Sequence, residues 1–106
     1  MGNTGERKPS DNTTRKKTEA RLKELDARIQ LLSAKAEQAE ADAREKGTSV
    51  IRRLKEQREA AARELERYRN AAGAALDEIG AGLTKAVDDL AQSVEDASRA
   101  FGGRQL

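Results

Sequence analysis

The chain contains no histidine, no cysteine and no tryptophan. Without cysteine there is no disulfide, no thiolate metal site and no thiol nucleophile. Without histidine, imidazole acid–base chemistry is excluded as well. Aromatic residues are reduced to Tyr68 and Phe101, so no platform of interleaved rings is available for stacking nucleic-acid bases. Gly80 and Gly82 are followed neither by the further glycines nor by the Gly-Lys-Ser/Thr that a phosphate loop requires. Carboxylates remain as ligands for a hard cation, but without the spacing of an EF-hand loop. We therefore expect a protein that is not an enzyme, with no catalytic residue, no cofactor and no metal.

Long apolar runs are missing too. No segment approaches the roughly 20 residues needed to span a bilayer. The start, Met1-Gly2-Asn3-Thr4-Gly5-Glu6, is polar where a signal peptide has an apolar core. Glu6 also stands where a myristoylation pattern requires Ser or Thr. The expectation is a cytoplasmic protein, bacterial by default, and the sequon Asn12-Thr13-Thr14 is read as fortuitous.

What is present is helix-forming. Of 106 residues, 38 are hydrophobic, and half of those are alanine. Leu, Ile, Val and Phe number only 17, below the roughly 20% of a chain at which globular cores become doubtful. Ala, Glu, Lys, Leu and Arg make up 62 residues, a mixture typical of long helices and coiled coils. The fold class is accordingly all-α: elongated amphipathic helices, as a coiled coil or a helical hairpin, with a disordered N-terminal tail.

The tail is assigned to residues 1–13. It has almost no apolar side chains to offset the entropy of ordering, and Thr13 or Thr14 is the expected cap of the first helix. From there to Asn70 there is no proline, and Gly47 is the single glycine. Acid-before-base pairs four apart recur as Glu19–Lys23, Glu24–Arg28, Glu40–Arg44, Asp42–Lys46 and Glu59–Arg63. Each supports a solvated helix by a few tenths of a kcal/mol (~0.3). Residues 14–71 are read as one long charged coiled-coil helix. Its seam runs Leu22, Leu25, Ile29, Leu32, Ala36, Ala39, Ala43, Lys46, Val50, at about 3.5 residues per step.

Beyond Val50 the apolar steps lengthen. Leu54, Gln57, Ala61, Leu65, Tyr68, Ala72, Leu76, Ile79, Leu83, Ala86, Leu90, Val94, Ala97 and Phe101 advance at about 3.64 per step. That is near the 3.67 of an eleven-residue repeat, which leaves a helix straight or winds it right-handed. The repeat is visible where Ala75–Lys85 aligns with Ala86–Asp96. Residues 72–101 are therefore assigned to a second amphipathic helix, and residues 102–106 to a flexible end. On a helical wheel Leu76, Ile79, Leu83, Val87, Leu90, Val94 and Phe101 share a sector of about 80°, and this stripe is the candidate interface. Asp77, Glu78, Asp88, Asp89, Glu95 and Asp96 fall opposite. Adjacent carboxylates on a helix diverge by about 100°, which makes them a solvated face, not a chelating site. Gly80, Ala91 and Ser98 flank the stripe and would permit close approach of another helix.

Two breaks are conceivable. Gly47-Thr48-Ser49 offers a turn with Ser49 as the next cap, and Asn70-Ala71-Ala72-Gly73 is the better hinge. Charge changes at the second: residues 1–70 carry 18 basic and 13 acidic groups, residues 71–101 carry 2 and 6.

The segment Ala75 to Val94 resembles a family of small bacterial coiled-coil stress-response proteins. Their carboxy-terminal part reads Ala-Trp-acid-acid-Leu-Lys-x-Gly-Val-x-Lys-Ala-Trp-Asp-Asp-Leu. Ala75, Asp77, Glu78, Gly82, Lys85, Ala86, Asp88, Asp89 and Leu90 stand where that pattern expects them. Residues 34–44 are similar to the family's first coil, and the resemblance covers about residues 20–101. Leu76 and Val87 replace the two tryptophans, which keeps a burial role and drops any aromatic one. The resemblance implies an elongated helical protein linked to stress, and no catalytic or binding residue.

The functional expectation is a structural or interaction protein acting through helix–helix association, as a homo-oligomer or with a helical protein partner. The alternative is an amphipathic helix protein on a lipid or hydrophobic granule surface, although such helices usually carry Lys and Arg on the polar face and this stripe is backed by acids. Nucleic acid is disfavoured as a partner. The basic cluster Arg7, Lys8, Arg15, Lys16, Lys17, Arg21 and Lys23 could grip phosphates, but it is read as a solubilising tail.

Overall fold

A computed structural model describes the backbone of residues 9–102. It is a bundle of three helices, α1 (Pro9–Glu37), α2 (Ala41–Asn70) and α3 (Ala74–Gly102), with no strand among the described residues. The helices are 29, 30 and 29 residues long, about 44 Å each at 1.5 Å per residue. Ion pairs fix their directions. Arg58 of α2 meets Asp26 and Arg69 meets Glu19, so α2 runs antiparallel to α1. Arg21 meets Asp88 at 2.8 Å and Arg28 meets Glu95 at 3.7 Å, so α3 runs parallel to α1. No described helix is long and apolar enough to cross a membrane.

The single long helix expected over residues 14–71 is instead two helices, broken at residues 38–40. Nothing in that segment breaks a helix by its own chemistry. The reason is tertiary. Beyond Leu32 the seam of α1 is alanine, which buries too little area to hold a straight rod to anything. Folding back lets Leu22, Leu25, Ile29 and Leu32 share one core with Ile51, Leu54, Ala61, Leu65 and Tyr68. At the reversal the amides of Gln38 and Ala39 still bond to carbonyls of the last turn, at 3.2 Å. Glu40 is extended and starts α2 without a side-chain cap. The hinge expected at residues 70–73 is present: Gly73 adopts φ +64°, a left-handed conformation that glycine reaches without steric cost. Gly47, by contrast, lies inside α2 and is buried.

Helix α1 runs from Pro9, so it begins within residues 1–13, the stretch assigned to the tail. A proline suits the first turn, where its missing N–H has no partner to lose. Gly102, assigned to the flexible end, closes α3. Residues 1–8 and 103–106 of those two segments lie outside the described residues.

Burial follows a heptad in every helix. Thr18, Leu22, Leu25, Ile29, Leu32 and Ala36 are buried in α1, and Gly47, Ile51, Leu54, Ala61, Leu65 and Tyr68 in α2. In α3 the buried set is Leu83, Val87, Leu90, Val94 and Ala97. Its alternation of four and three is the 3.5 spacing of left-handed coiled coils, not the 3.67 of an eleven-residue repeat. The steps from Tyr68 through Ala72 to Leu76 lengthen the average spacing, because they cross the break between α2 and α3, where helical phase is lost. Leu54, Ala61, Leu65 and Tyr68 of the α2 seam are buried as the sequence reading has them. Ile51 is more deeply buried than Val50, which is half-buried against the same core, and Arg58 shares with Gln57 the half-buried position between Leu54 and Ala61.

Candidate functional site

The apolar stripe of α3 supplies four of the six largest fully enclosed side chains among the described residues. Leu83, Leu90 and Val94 have no exposed surface and Val87 almost none. Leu76, Ile79 and Phe101 are half-buried and pack against the same core. All seven candidate interface residues thus face α1 and α2 of their own chain. Side chains at this spacing gain about 1.5–3 kcal/mol each on full burial, which makes the stripe the largest apolar contribution α3 offers.

Glycine sets how closely the helices approach. A Cβ on Gly80 would stand 2.9 Å from Cε1 of the Tyr68 ring, so the gap at Gly80 receives that ring. This is the close approach expected of the small residues beside the stripe. Gly47 is tighter in kind, because its Cβ would stand 2.9 Å from Cβ of Ala36 and 3.4 Å from Cζ of Phe101. Ala36 has no side-chain freedom with which to yield. Gly82 has only Glu64 Oε1 at 3.7 Å, an ordinary contact. We expect Gly47→Ala to destabilise by about 1–3 kcal/mol through overpacking, even though alanine favours helix. Gly82→Ala should stabilise by about 0.5–1 kcal/mol from helix propensity alone. Urea melts of the two variants check the pair, and equal signs would contradict the packing described.

The acids behind the stripe are not uniformly solvated. Asp88 and Glu95, seven residues apart, reach Arg21 and Arg28, also seven apart, on the parallel helix α1. Arg28 also donates to the Ser98 hydroxyl at 3.3 Å, which is how that small residue is used. Asp89 pairs with Lys85 and Asp96 with Arg99 within α3. These pairs are more than one-third exposed, so each contributes at most about 1 kcal/mol; their effect is on which helix directions are accepted. The pairs expected within one helix are partly redirected. Glu19 reaches Arg69 and Arg28 reaches Glu95, in place of Lys23 and Glu24. Arg58 is half-buried, and its hydrogen bond with Asp26 raises its pKa further, holding the guanidinium charged. Among the described residues no group of three acidic side chains is placed to hold a metal ion.

The basic cluster is divided. Arg15, Lys16, Lys17, Arg21 and Lys23 lie on α1, with Arg21 committed to Asp88. Arg7 and Lys8 lie outside the described residues. At the opposite end of the bundle, where the α1–α2 reversal meets the end of α3, Ala36, Ala39, Ala43, Val50 and Phe101 line an apolar hollow of about 330 Å³, with Lys35 and Lys46 among its walls.

No signal in the sequence marks the reversal at residues 38–40 as a turn. The positions of Ile51 and Arg58 in the seam were readable, because Gly47, Ile51, Leu54, Arg58, Ala61, Leu65 and Tyr68 form an unbroken heptad once Gly47 is allowed inside the helix. The chain was compared with family models, curated proteins and solved structures, and none of them matches it.

Proposed function

We propose that the protein is a non-enzymatic structural or interaction protein that works through helix–helix association in the bacterial cytoplasm, with a link to stress that rests on the family resemblance alone. One observation carries this reading: the apolar content of the chain is concentrated in three heptad seams, with Leu83, Val87, Leu90 and Val94 at their centre. Heptad seams are interchangeable in geometry. A helix of the same spacing, from another protein or from a second copy, fits where one of the chain's own helices sits. Light scattering across a concentration series tests the reading. The mass should rise above 11.6 kDa and the melting temperature should rise with it. A constant mass with concentration-independent melting would end the self-association reading.

A second reading, binding to a lipid or granule surface, is favoured by one feature. The most apolar helix, α3, follows a glycine turn at Gly73, so opening at that turn would present the whole stripe to a surface. Helicity and binding on anionic vesicles, absent in buffer without them, would support it over the first.

A further inference from the structure

We propose that the chain forms a swapped dimer in which residues 38–40 straighten, α1 and α2 run on as one helix, and α1 of each copy packs on α2 of the other. This deepens the association reading and rests on it; the partner it names is a second copy of this chain. The first support is the chemistry of the reversal. Gln38, Ala39 and Glu40 include no glycine and no proline, and Glu40 makes no capping bond. The other turn has Gly73 at φ +64°. Glutamine, alanine and glutamate are all good helix formers, so a straight helix here violates no local preference and satisfies the backbone groups left open at the turn.

The second support is phase. Leu22 and Ile51, Leu25 and Leu54, Leu32 and Ala61, and Ala36 and Leu65 are each separated by 29 residues, and all are buried. At 3.6 residues per turn that separation is about 8.06 turns. On one straight helix the two seams would therefore share a face within about 20°. In the heptad frame they lie one position apart, and the eleven residues from Ala36 to Gly47, a heptad plus four, are the stutter by which a continuous helix unwinds locally and keeps the face. Two helices joined by a turn have no need of this relation, since the turn resets the phase.

The third support is register. In the folded-back chain Ala36 packs on Gly47, Asp26 pairs with Arg58 and Glu19 pairs with Arg69, contacts centred at positions 41.5, 42 and 44 and so near residue 42. A two-fold axis near that residue reproduces each of them between copies. It also brings Glu40 opposite Arg44 of the second copy. Helix α3 stays on its own α2 through the unchanged turn at Gly73 and reaches the second copy's α1. The pairs Arg21–Asp88 and Arg28–Glu95 then form between copies. Both forms keep the same core, so protein concentration selects between them.

Ala41→Pro separates the forms. Ala41 is the first residue of α2 and Glu40 before it is extended, the conformation a following proline favours. The folded-back chain thus accepts proline at this position, whereas a continuous helix does not. Wild-type and variant chains are refolded from denaturant at low and high concentration, then sized by chromatography with light scattering and checked by circular dichroism. The wild type should give a dimer after concentrated refolding. Ala41→Pro should keep its helicity and give at least tenfold less dimer. A variant that dimerises as well as the wild type overturns the swap and leaves association through outer surfaces. A wild type that is monomeric at every concentration overturns both the swap and the self-association reading it rests on. If Ala41→Pro loses helicity, the double variant Ala39→Gly with Glu40→Gly carries the same comparison, because it weakens the straight helix without touching the core.

Discussion

Leu83→Asp combined with Leu90→Asp should leave the chain unfolded at 25 °C. Both side chains are fully enclosed between α1 and α2. Losing each buried leucine costs about 2–5 kcal/mol. Each aspartate must then be desolvated or protonated in an apolar layer, which adds to that cost. The total reaches the roughly 5–15 kcal/mol that holds a typical domain together. Circular dichroism should show helicity collapsing across the whole chain, not only in α3, because α1 and α2 lose the third wall of their core. The comparison is Asp88→Lys. It removes an exposed ion pair with Arg21 and sets two cations side by side, and should cost about 1 kcal/mol or less. A double variant that stays helical as a monomer would show that the stripe is not the core.

The stripe was legible in the sequence because its residues repeat on one face and every position is apolar. Its occupant was not, since a heptad seam specifies the spacing of a partner and not the identity of the chain that supplies it. The hinge at residues 70–73 was legible for the same kind of reason, through Gly73 and the change of charge beside it. The reversal at residues 38–40 was illegible because it is imposed from outside the segment. Glu40 and Ala41 are ordinary helix formers, and the gain that bends the chain comes from Leu22, Ile29, Leu54 and Leu65, residues far from the bend. The alanine seam positions Ala36, Ala39 and Ala43 bury little apolar area. The consequence, that the chain turns where the seam is weakest, follows only when the competing burial is known. Ion pairs were misplaced by the same locality. A spacing of four suggested Glu24–Arg28, whereas the bundle brings Glu95 to Arg28 across 67 positions of sequence numbering.

Two residues of α1, two positions apart and so on opposite faces of the helix, give the second large effect. Ile29 is fully buried and Leu31 is 66% exposed. Ile29→Ala should destabilise by about 2–5 kcal/mol, through lost transfer energy and the cavity left behind. For a chain of this length that lowers the melting temperature by at least about 10 °C. Leu31→Ala should stay within about 0.5 kcal/mol, as surface substitutions do. The contrast is informative because the two side chains are similar in size and share one helix, so propensity cannot account for a difference. Thermal melts monitored by circular dichroism check it, and comparable losses at both sites would place α1 in some other orientation. A solvent-facing Leu31 also fits the swapped dimer, which uses the same face of α1 as the folded-back chain.

The central claim is that α3 is held by its stripe as one cooperative unit with α1 and α2. Native-state amide hydrogen exchange on the wild-type chain tests it most directly, since amides released only by global unfolding share a single free energy. The amides of Leu83, Val87, Leu90 and Val94 should exchange as slowly as those of Ile29 and Leu54, with one common denaturant dependence. Fast exchange throughout α3, beside protected amides in α1 and α2, would contradict it.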